Sequence, residues 1–192
     1  MTDTLRLPCR LAPSIAFYRA LARHNGPVEI CCAERFDKRV KATHRFVIAD
    51  TRGPLELTIP IAKPYGRTWA DTRLSDHGRW WETIPAALES AYGRTPYFEF
   101  YAPDLLPLLA NPAQFASVGE LNAAVNRFML RALALNDRDV SYSFTPGARP
   151  DAVPDFEPQP YWQLRADSLG FIGGLSAFDP LFNLGPEAQL LL

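Results

Sequence analysis

The chain has few of the residues on which familiar catalytic and metal-binding motifs depend, with three cysteines and three histidines among 192 residues. An odd number of cysteines without a secretory signal favours reduced thiols. The spacing of Cys9, Cys31 and Cys32 from the histidines fits no zinc site. Phosphate-binding glycine loops, dinucleotide fingerprints and the serine elbow of hydrolases are also missing. We therefore expect no metal and no cofactor.

Strong net charge and long apolar runs are missing as well. The formal net charge is -1, which argues against nucleic acid as a main partner. No apolar run approaches the roughly 20 residues of a membrane span, so we expect no membrane insertion. The first four residues, Met1–Thr4, lack the basic and apolar regions of a signal peptide. We expect a cytoplasmic protein, and a chain of this length can form a single domain over residues 1–192.

The beginning of the chain alternates between strand and helix patterns. Leu5–Pro8 and Val28–Cys32 read as strands, and a helix from Ser14 to Arg23 lies between them. This β-loop-α-β order is typical of parallel α/β sheets, which bind ligands at the carboxyl ends of their strands. It would bring Cys9-Arg10 and Ala33-Glu34 to a binding edge.

The remaining pattern predicts an α/β fold with a mixed sheet, a hairpin insertion and additional C-terminal helices. Ser117 and Glu120 form a capping box that opens the clearest helix, with Val118, Leu121, Val125, Phe128, Ala132 and Leu135 on its buried side. The predicted elements are a hairpin (44–61), helices (79–92, 117–136, 175–182 and 186–192), a strand (139–144) and a proline-rich loop (145–160).

The most distinctive segment runs from Leu88 to Tyr101. Gly93 is the residue that most easily ends a helix in a left-handed cap, and Thr95-Pro96 favours an extended path after it. Five large side chains follow, which suits a strand end or a pocket wall. Glu99 among these rings is either a buried, hydrogen-bonded carboxylate or a site acid.

This segment resembles the central motif of the WbqC-like family, in which Ser-Ala-Tyr precedes a small-Pro-aromatic-Phe-Glu-x-Tyr run. Further similarities lie in order along the chain, at Pro8–Tyr18, Glu34 with Phe36 and Lys38, Gly53–Ile61, Pro160–Gln163 and Leu181–Ala188. The family is associated with surface-polysaccharide (O-antigen) gene clusters, and a role in transferring glycine to a sugar has been proposed for it.

The resemblance implies a cytoplasmic transferase that moves an aminoacyl group of the glycine type, or an acyl group, to an amino or hydroxyl group. Its donor would be a small acidic or activated molecule, and its acceptor would be sugar-like or an amine. The alternative is a non-catalytic ligand-binding or assembly protein of the same biosynthetic clusters. We take His44, Glu89 and Glu99 as candidate catalytic residues. The candidate ligand-binding residues are Glu34, Lys38, Tyr92, Arg94, Asn183 and Glu187.

Several candidates have a structural alternative. Glu89 and Arg94 could bind a ligand or form an internal ion pair that stabilises the end of the helix. The segment Asn183–Glu187 can simply end one helix and begin the next. Cys9 could be a nucleophile beside Arg10, although a small buried hydrophobe is the favoured interpretation.

The histidines also depart from the family pattern. His44 stands where the family has an arginine-rich triplet, so it places a titratable base before the hairpin. The family's His-Trp pair is replaced here by Ile84-Pro85, unless His77 takes its place in space. If that pair is needed for the family's chemistry, this chain has a changed activity.

Overall fold

The computed structural model describes residues 3–63, 67–154 and 156–192. Its strands and helices, in chain order, are β1 (Leu5–Pro8), α1 (Ile15–Arg23), β2 (Val28–Cys31), β3 (Arg45–Asp50), β4 (Gly53–Thr58), α2 (Trp80–Tyr92), α3 (Phe98–Ala110), α4 (Val118–Ala132), β5 (Val140–Ser143), α5 (Ala166–Leu169) and α6 (Phe178–Leu184). Turns of 3-10 helix occupy Lys41–Thr43, His77–Arg79, Pro112–Gln114 and Gly185–Leu191. The α/β class is confirmed. Within the described ranges, no helix combines the length and the apolar character needed to cross a membrane.

The strands β1, β2 and β5 form a parallel sheet with β2 in the centre. Leu5 is paired with Val28, and Val28 is paired in turn with Val140. The crossover helix α1 buries Phe17 and Leu21 in the core. Because all three strands run in the same direction, their carboxyl ends meet at one edge of the sheet.

The strands β3 and β4 form an antiparallel hairpin of their own. Parallel and antiparallel pairings are therefore divided between two sheets and do not share one mixed sheet. Gly53 begins β4 with a φ of 116°, a conformation that residues with a side chain rarely adopt. The hairpin packs on α6 through Phe46 and Phe178, whose ring centroids are 5.6 Å apart in an edge-to-face arrangement.

The aromatic run that we expected to be extended begins a helix. Gly93 has a right-handed φ of -58° and continues the helical pattern of α2. Its N–H donates to the carbonyl of Glu89, four residues earlier, at 2.8 Å. The hydroxyl of Thr95 donates to the carbonyl of Tyr92 at 2.6 Å and tightens the turn. In the following helix α3, Phe98 and Tyr101 are buried, whereas Glu99 and Phe100 are exposed. The predicted left-handed cap and extended path are both wrong.

Two prolines explain why the sequence does not predict the helix α3. Pro103 and Pro107 lie inside the helix, where each removes an N–H that would bond to the residue four positions earlier. Both prolines are exposed, so water can satisfy the carbonyls of Glu99 and Pro103 instead. Tertiary packing of Leu105, which is fully buried, supports a helix that local propensity disfavours.

The helix α4 confirms the capping-box prediction. The Oγ atom of Ser117 accepts from the backbone nitrogen of Glu120 at 3.3 Å, and the Glu120 carboxylate accepts from the nitrogen of Ala116 at 2.8 Å. Ala132 of the predicted buried stripe is only half-buried, and the other five members are buried: Val118, Leu121, Val125, Phe128 and Leu135. Glu120 and Arg131, on the opposite side of the helix, are exposed.

Candidate functional site

A cavity of about 760 Å³ lies at the carboxyl edge of the parallel sheet. Its walls come from the chain after β2, from residues 67–68 and from the loop after β5. We call it the arginine cavity, because Arg35, Arg67 and Arg149 all line it. Its position is the one that the β-loop-α-β opening predicts for a ligand in this class of fold.

Backbone hydrogen bonds between segments remote in sequence hold two of these walls together. The backbone nitrogen of Phe36 donates to the carbonyl of Arg67 at 2.8 Å, and the nitrogen of Trp69 donates to the carbonyl of Glu34 at 3.1 Å. The rings of Phe36 and Trp69 contact each other, with centroids 4.7 Å apart. The segment after β2 is therefore a paired edge and presents its side chains from a defined backbone.

Positively charged side chains outnumber negatively charged ones in the lining of the arginine cavity. Arg35, Arg67 and Arg149 are exposed, whereas the carboxylate of Glu34 forms an ion pair with Arg10, with Nη1 and Oε1 2.6 Å apart. The same Arg10 nitrogen donates to the hydroxyl of Thr43 at 2.9 Å. Burial raises the pKa of Glu34 above its ordinary value of 4.5, although the Arg10 guanidinium acts in the opposite direction.

Beneath this edge, two thiols pack in the core. The Sγ atoms of Cys9 and Cys32 are 3.1 Å apart, and both residues are buried. The contact with Cys32, followed by burial, raises the pKa of the Cys9 thiol. A protonated, buried thiol is a poor nucleophile, so the structure supports the interpretation of Cys9 as a small buried hydrophobe. The side-chain nitrogen of Asn122 donates to the carbonyls of Cys9 and Thr43 at 3.2 and 2.8 Å and joins the two segments.

His44 is buried away from this cavity. Its Nδ1 atom lies 3.2 Å from the carbonyl of Ile59, and its ring centroid lies 5.9 Å from that of Trp69. Burial lowers the pKa of His44 below its ordinary value of 6.5. A carbonyl partner assigns the proton of a neutral imidazole to Nδ1. His44 does not line the arginine cavity, and its role as a base stays a prediction.

Glu89 and Glu99 share a different site, an open groove of about 820 Å³ along α2 and α3. Glu99 is exposed, so of its two alternatives the buried, hydrogen-bonded carboxylate is wrong, and the site acid stays a prediction. Arg94 and Lys38 are also exposed, and the ion pairs among the described residues do not include one between Glu89 and Arg94. The carboxylates of the central motif therefore line one surface and Glu34 lines another.

The remaining motif residues surround a carboxylate that sequence analysis missed. Asp179, in the first turn of α6, is almost fully buried. Its Oδ1 accepts from the hydroxyl of Tyr92 at 2.9 Å. Its Oδ2 accepts from the hydroxyl of Tyr161 at 2.6 Å and from the side-chain amide of Gln163 at 3.0 Å. Burial raises the pKa of Asp179, and these three donors oppose that rise.

Asn183 belongs to the same cluster. Its amide nitrogen donates to the carbonyl of Asp179 at 2.8 Å, and its Oδ1 accepts from the backbone nitrogen of Leu164 at 3.0 Å. Both polar atoms of the Asn183 side chain therefore have a partner, whereas Glu187, in the 3-10 turn that follows α6, is exposed. Tyr92 and Asn183 thus hold segments of the fold together, and their role in ligand binding stays a prediction.

The residues that sequence analysis missed differ in the signals they carry. Asp179 has one signal, since it is an acid inside the apolar run Leu175–Phe182. Arg67 and Arg149 have none, because they come from loops that are remote in sequence and adjacent only in the fold. Within the described ranges, no group of three acidic, histidine or cysteine side chains is placed to hold a metal ion.

Neither a curated protein nor a solved structure matches the chain. The model of the WbqC-like protein family matches residues 28–149, which is more than half of the chain. That range contains β2, the hairpin, the central motif and the capping-box helix. The chain therefore belongs to the WbqC-like protein family.

Proposed function

We propose that the protein is a cytoplasmic transferase of polysaccharide or related biosynthesis that binds an acidic, activated donor in the arginine cavity. The group transferred is an acyl group or an aminoacyl group of the glycine type, and the acceptor offers an amine or a hydroxyl. The observation that carries the proposal is that Arg35, Arg67 and Arg149 all line one cavity at the carboxyl edge of the parallel sheet. Guanidinium groups bind phosphate and carboxylate through paired hydrogen bonds, and a small activated donor offers one or both of these groups.

Glu34 supplies the group that a transfer needs beside this anion site. When an amine attacks the donor carbonyl, its nitrogen must lose a proton as the new bond forms and the leaving group departs. Glu34 lines the cavity, and burial raises the pKa of its carboxyl, which makes the ionised form a stronger base. Arg10 holds that carboxylate in place through their 2.6 Å contact.

A non-catalytic binding or assembly role is the second candidate. It is favoured by the cluster around Asp179, because Tyr92, Tyr161 and Gln163 of the family motifs all donate to this buried carboxylate and none of their polar groups is left to act on a substrate. The two candidates differ in one respect: a transferase changes its ligand, whereas a binding protein returns it unchanged.

Isothermal titration with inorganic pyrophosphate tests the anion site directly. Arg67→Gln and Arg149→Gln are each expected to weaken binding about tenfold, the worth of one charge-assisted hydrogen bond. Arg52→Gln is the control, since Arg52 is an exposed arginine of the hairpin turn that does not line the cavity. Equal binding by all four proteins would place the anion elsewhere.

Enrichment of metabolites from a cell extract then separates the two candidates. The wild-type protein is expected to retain an acidic compound that the Arg67→Gln protein does not retain. Incubation of that compound with an amine acceptor should yield an adduct that mass spectrometry detects as the transferred mass. Glu34→Gln should retain the compound and lose the adduct. A retained compound that no acceptor changes would favour the binding protein.

A further inference from the structure

A second, smaller cavity lies between α1, residues 156–159 and the C-terminal 3-10 turn. Its volume is about 170 Å³. An engineered apolar cavity of about 150 Å³ holds benzene, so this space suits a ligand of similar size. Most of its wall is apolar and comes from Ile15, Ala16, Phe171, Leu175, Pro180 and Leu191.

One cationic side chain interrupts this apolar wall. Arg19 projects from α1, and its Nε atom is buried without a hydrogen-bond partner. Its guanidinium carbon lies 4.9 Å from the ring centroid of Phe156, and that of Arg23 lies 5.8 Å from the same centroid. The ion pairs among the described residues do not include Arg19. Nε itself is shielded from a molecule in the cavity, but the terminal guanidinium nitrogens also have no hydrogen-bond partner among the described residues, so they are the donors that an acceptor in the cavity would meet.

The cover of the cavity is closely packed. A Cβ atom at Gly173 would lie 2.8 Å from the side chain of Pro158, so glycine lets the chain pass against residues 156–159. The ring of Tyr161 lines the cavity and contacts Phe171 edge to face at 5.3 Å, while its hydroxyl donates to Asp179. The cavity therefore shares a wall with the cluster of motif residues.

We propose that this cavity binds a small monocarboxylate. The carboxylate accepts hydrogen bonds from Arg19, and a short aliphatic or aromatic body fills the space beside Ile15, Phe171 and Leu175. The apolar wall excludes a strongly hydrated dianion such as phosphate. Glu157 also lines the cavity, but its carboxylate is exposed and screened by solvent, and it repels a dianion more strongly than a monoanion. The site is separate from the arginine cavity, so the proposal does not depend on the transferase function.

Isothermal titration with benzoate and isovalerate, each beside its neutral amide, tests the proposal. The wild-type protein is expected to bind each acid about tenfold more tightly than the amide, because only the acid offers a charged acceptor. Arg19→Gln should reduce acid binding to the level of the amide. Arg23→Gln is the matched control, since Arg23 faces the same ring of Phe156 but does not line the cavity. It should stay within about twofold of the wild-type affinity.

A second variant keeps the test decisive if Arg19→Gln does not fold. Ala16→Leu leaves Arg19 and its contact with Phe156 in place and fills the cavity from α1. It should abolish binding of both acids. Failure of the folded wild-type protein to bind either acid would overturn the proposal. Equal binding of acid and amide, or unchanged binding by Ala16→Leu, would overturn it as well.

Discussion

The hydroxyl of Tyr92 donates to Oδ1 of Asp179 at 2.9 Å and accepts from the backbone nitrogen of Ala49 at 3.1 Å. One side chain thereby joins α2 to α6 and to the strand β3. The phenol is almost fully buried, and burial raises its pKa, so it stays protonated and remains a donor at neutral pH.

Tyr92→Phe is expected to lower the free energy of unfolding by about 1–3 kcal/mol, the penalty for leaving buried polar groups without a partner. Ala49 would lose its acceptor, and Asp179 would keep only its donors from Tyr161 and Gln163. Urea denaturation measures the change. Tyr97→Phe is the control, because Tyr97 packs its ring against Gly185 and only half of it is buried. Equal stability of the two variants would show that the hydroxyl of Tyr92 contributes nothing.

His44 is expected to make stability depend on pH. Burial lowers its folded pKa below the ordinary 6.5, so the unfolded chain binds the proton first as the pH falls. The contribution is therefore present above about pH 6.5 and is lost as the pH falls towards the folded pKa, with a slope of at most about 1.4 kcal/mol per pH unit.

Thermal melts between pH 8 and 5 measure this dependence. In His44→Gln, the part of the fall in melting temperature that comes from protonation of this imidazole should disappear. His77→Gln, which removes an exposed imidazole, is the control. If His44→Gln keeps the same slope, the proton is taken up elsewhere.

The Arg10–Glu34 ion pair predicts how the pKa of one carboxyl group changes when its partner is removed. Arg10 opposes the effect of burial on Glu34, so Arg10→Gln should raise the pKa of that carboxyl further. Carbon-13 NMR of the side-chain carboxyls follows the titration. Arg39→Gln breaks an exposed pair with Asp37 and should leave Glu34 unchanged. An unaltered or lower pKa in Arg10→Gln would mean that the ion pair does not form in solution.

Arg94→Ala is expected to change the free energy of unfolding by less than about 0.5 kcal/mol, as for most exposed positions. The side chain is exposed, and the structure does not pair it with Glu89. Denaturant unfolding measures this change, and a loss above about 1.5 kcal/mol would restore the internal ion pair. Titration with pyrophosphate decides whether Arg94, or Lys38, also contributes to binding an acidic ligand.

Phe128→Ala is expected to destabilise the protein by about 3–5 kcal/mol, as is usual for a large core aromatic. Phe128 is 3% exposed and meets the ring of Tyr101 edge to face at 6.5 Å. Arg131→Ala, on the exposed side of the same helix, is the control. An unfolding midpoint that stays within a degree of wild type in Phe128→Ala would contradict the burial.

Regular patterns in the sequence predicted the elements that depend on local signals. The capping box of Ser117 and Glu120 and the strand–helix–strand opening are examples, because each is encoded in adjacent residues. The helix α3 was not predicted, because Pro103 and Pro107 interrupt its sequence pattern. Its helical conformation is evident only from the buried residues along one side in the folded protein. Local signals and tertiary packing disagree there, and packing prevails.

The candidate site divides in the same way. The opening pattern predicted that Glu34 lies at the sheet edge, and it does. That Arg67 and Arg149 line the same cavity could not be predicted, because the sequence of one loop does not indicate which other loop it will contact in the fold. The partners of Asp179 likewise come from α2 and from the segment before α5. Side chains that act together across such distances become visible only in the fold.

The order of strands in the parallel sheet also has a consequence for the folding of the chain. Strands β1 and β2 are close in sequence and can pair early, whereas β5 joins β2 only after most of the chain has been made. Such long-range pairing is slow, because a large loop must close before any contact forms. The last wall of the arginine cavity, residues 146–150, follows β5 directly. Several core residues, among them Phe178 and Phe182, are made only after this wall. We therefore expect a nascent chain to hold an anion only once β5 has paired with β2, so that ligand binding reports on completion of the parallel sheet.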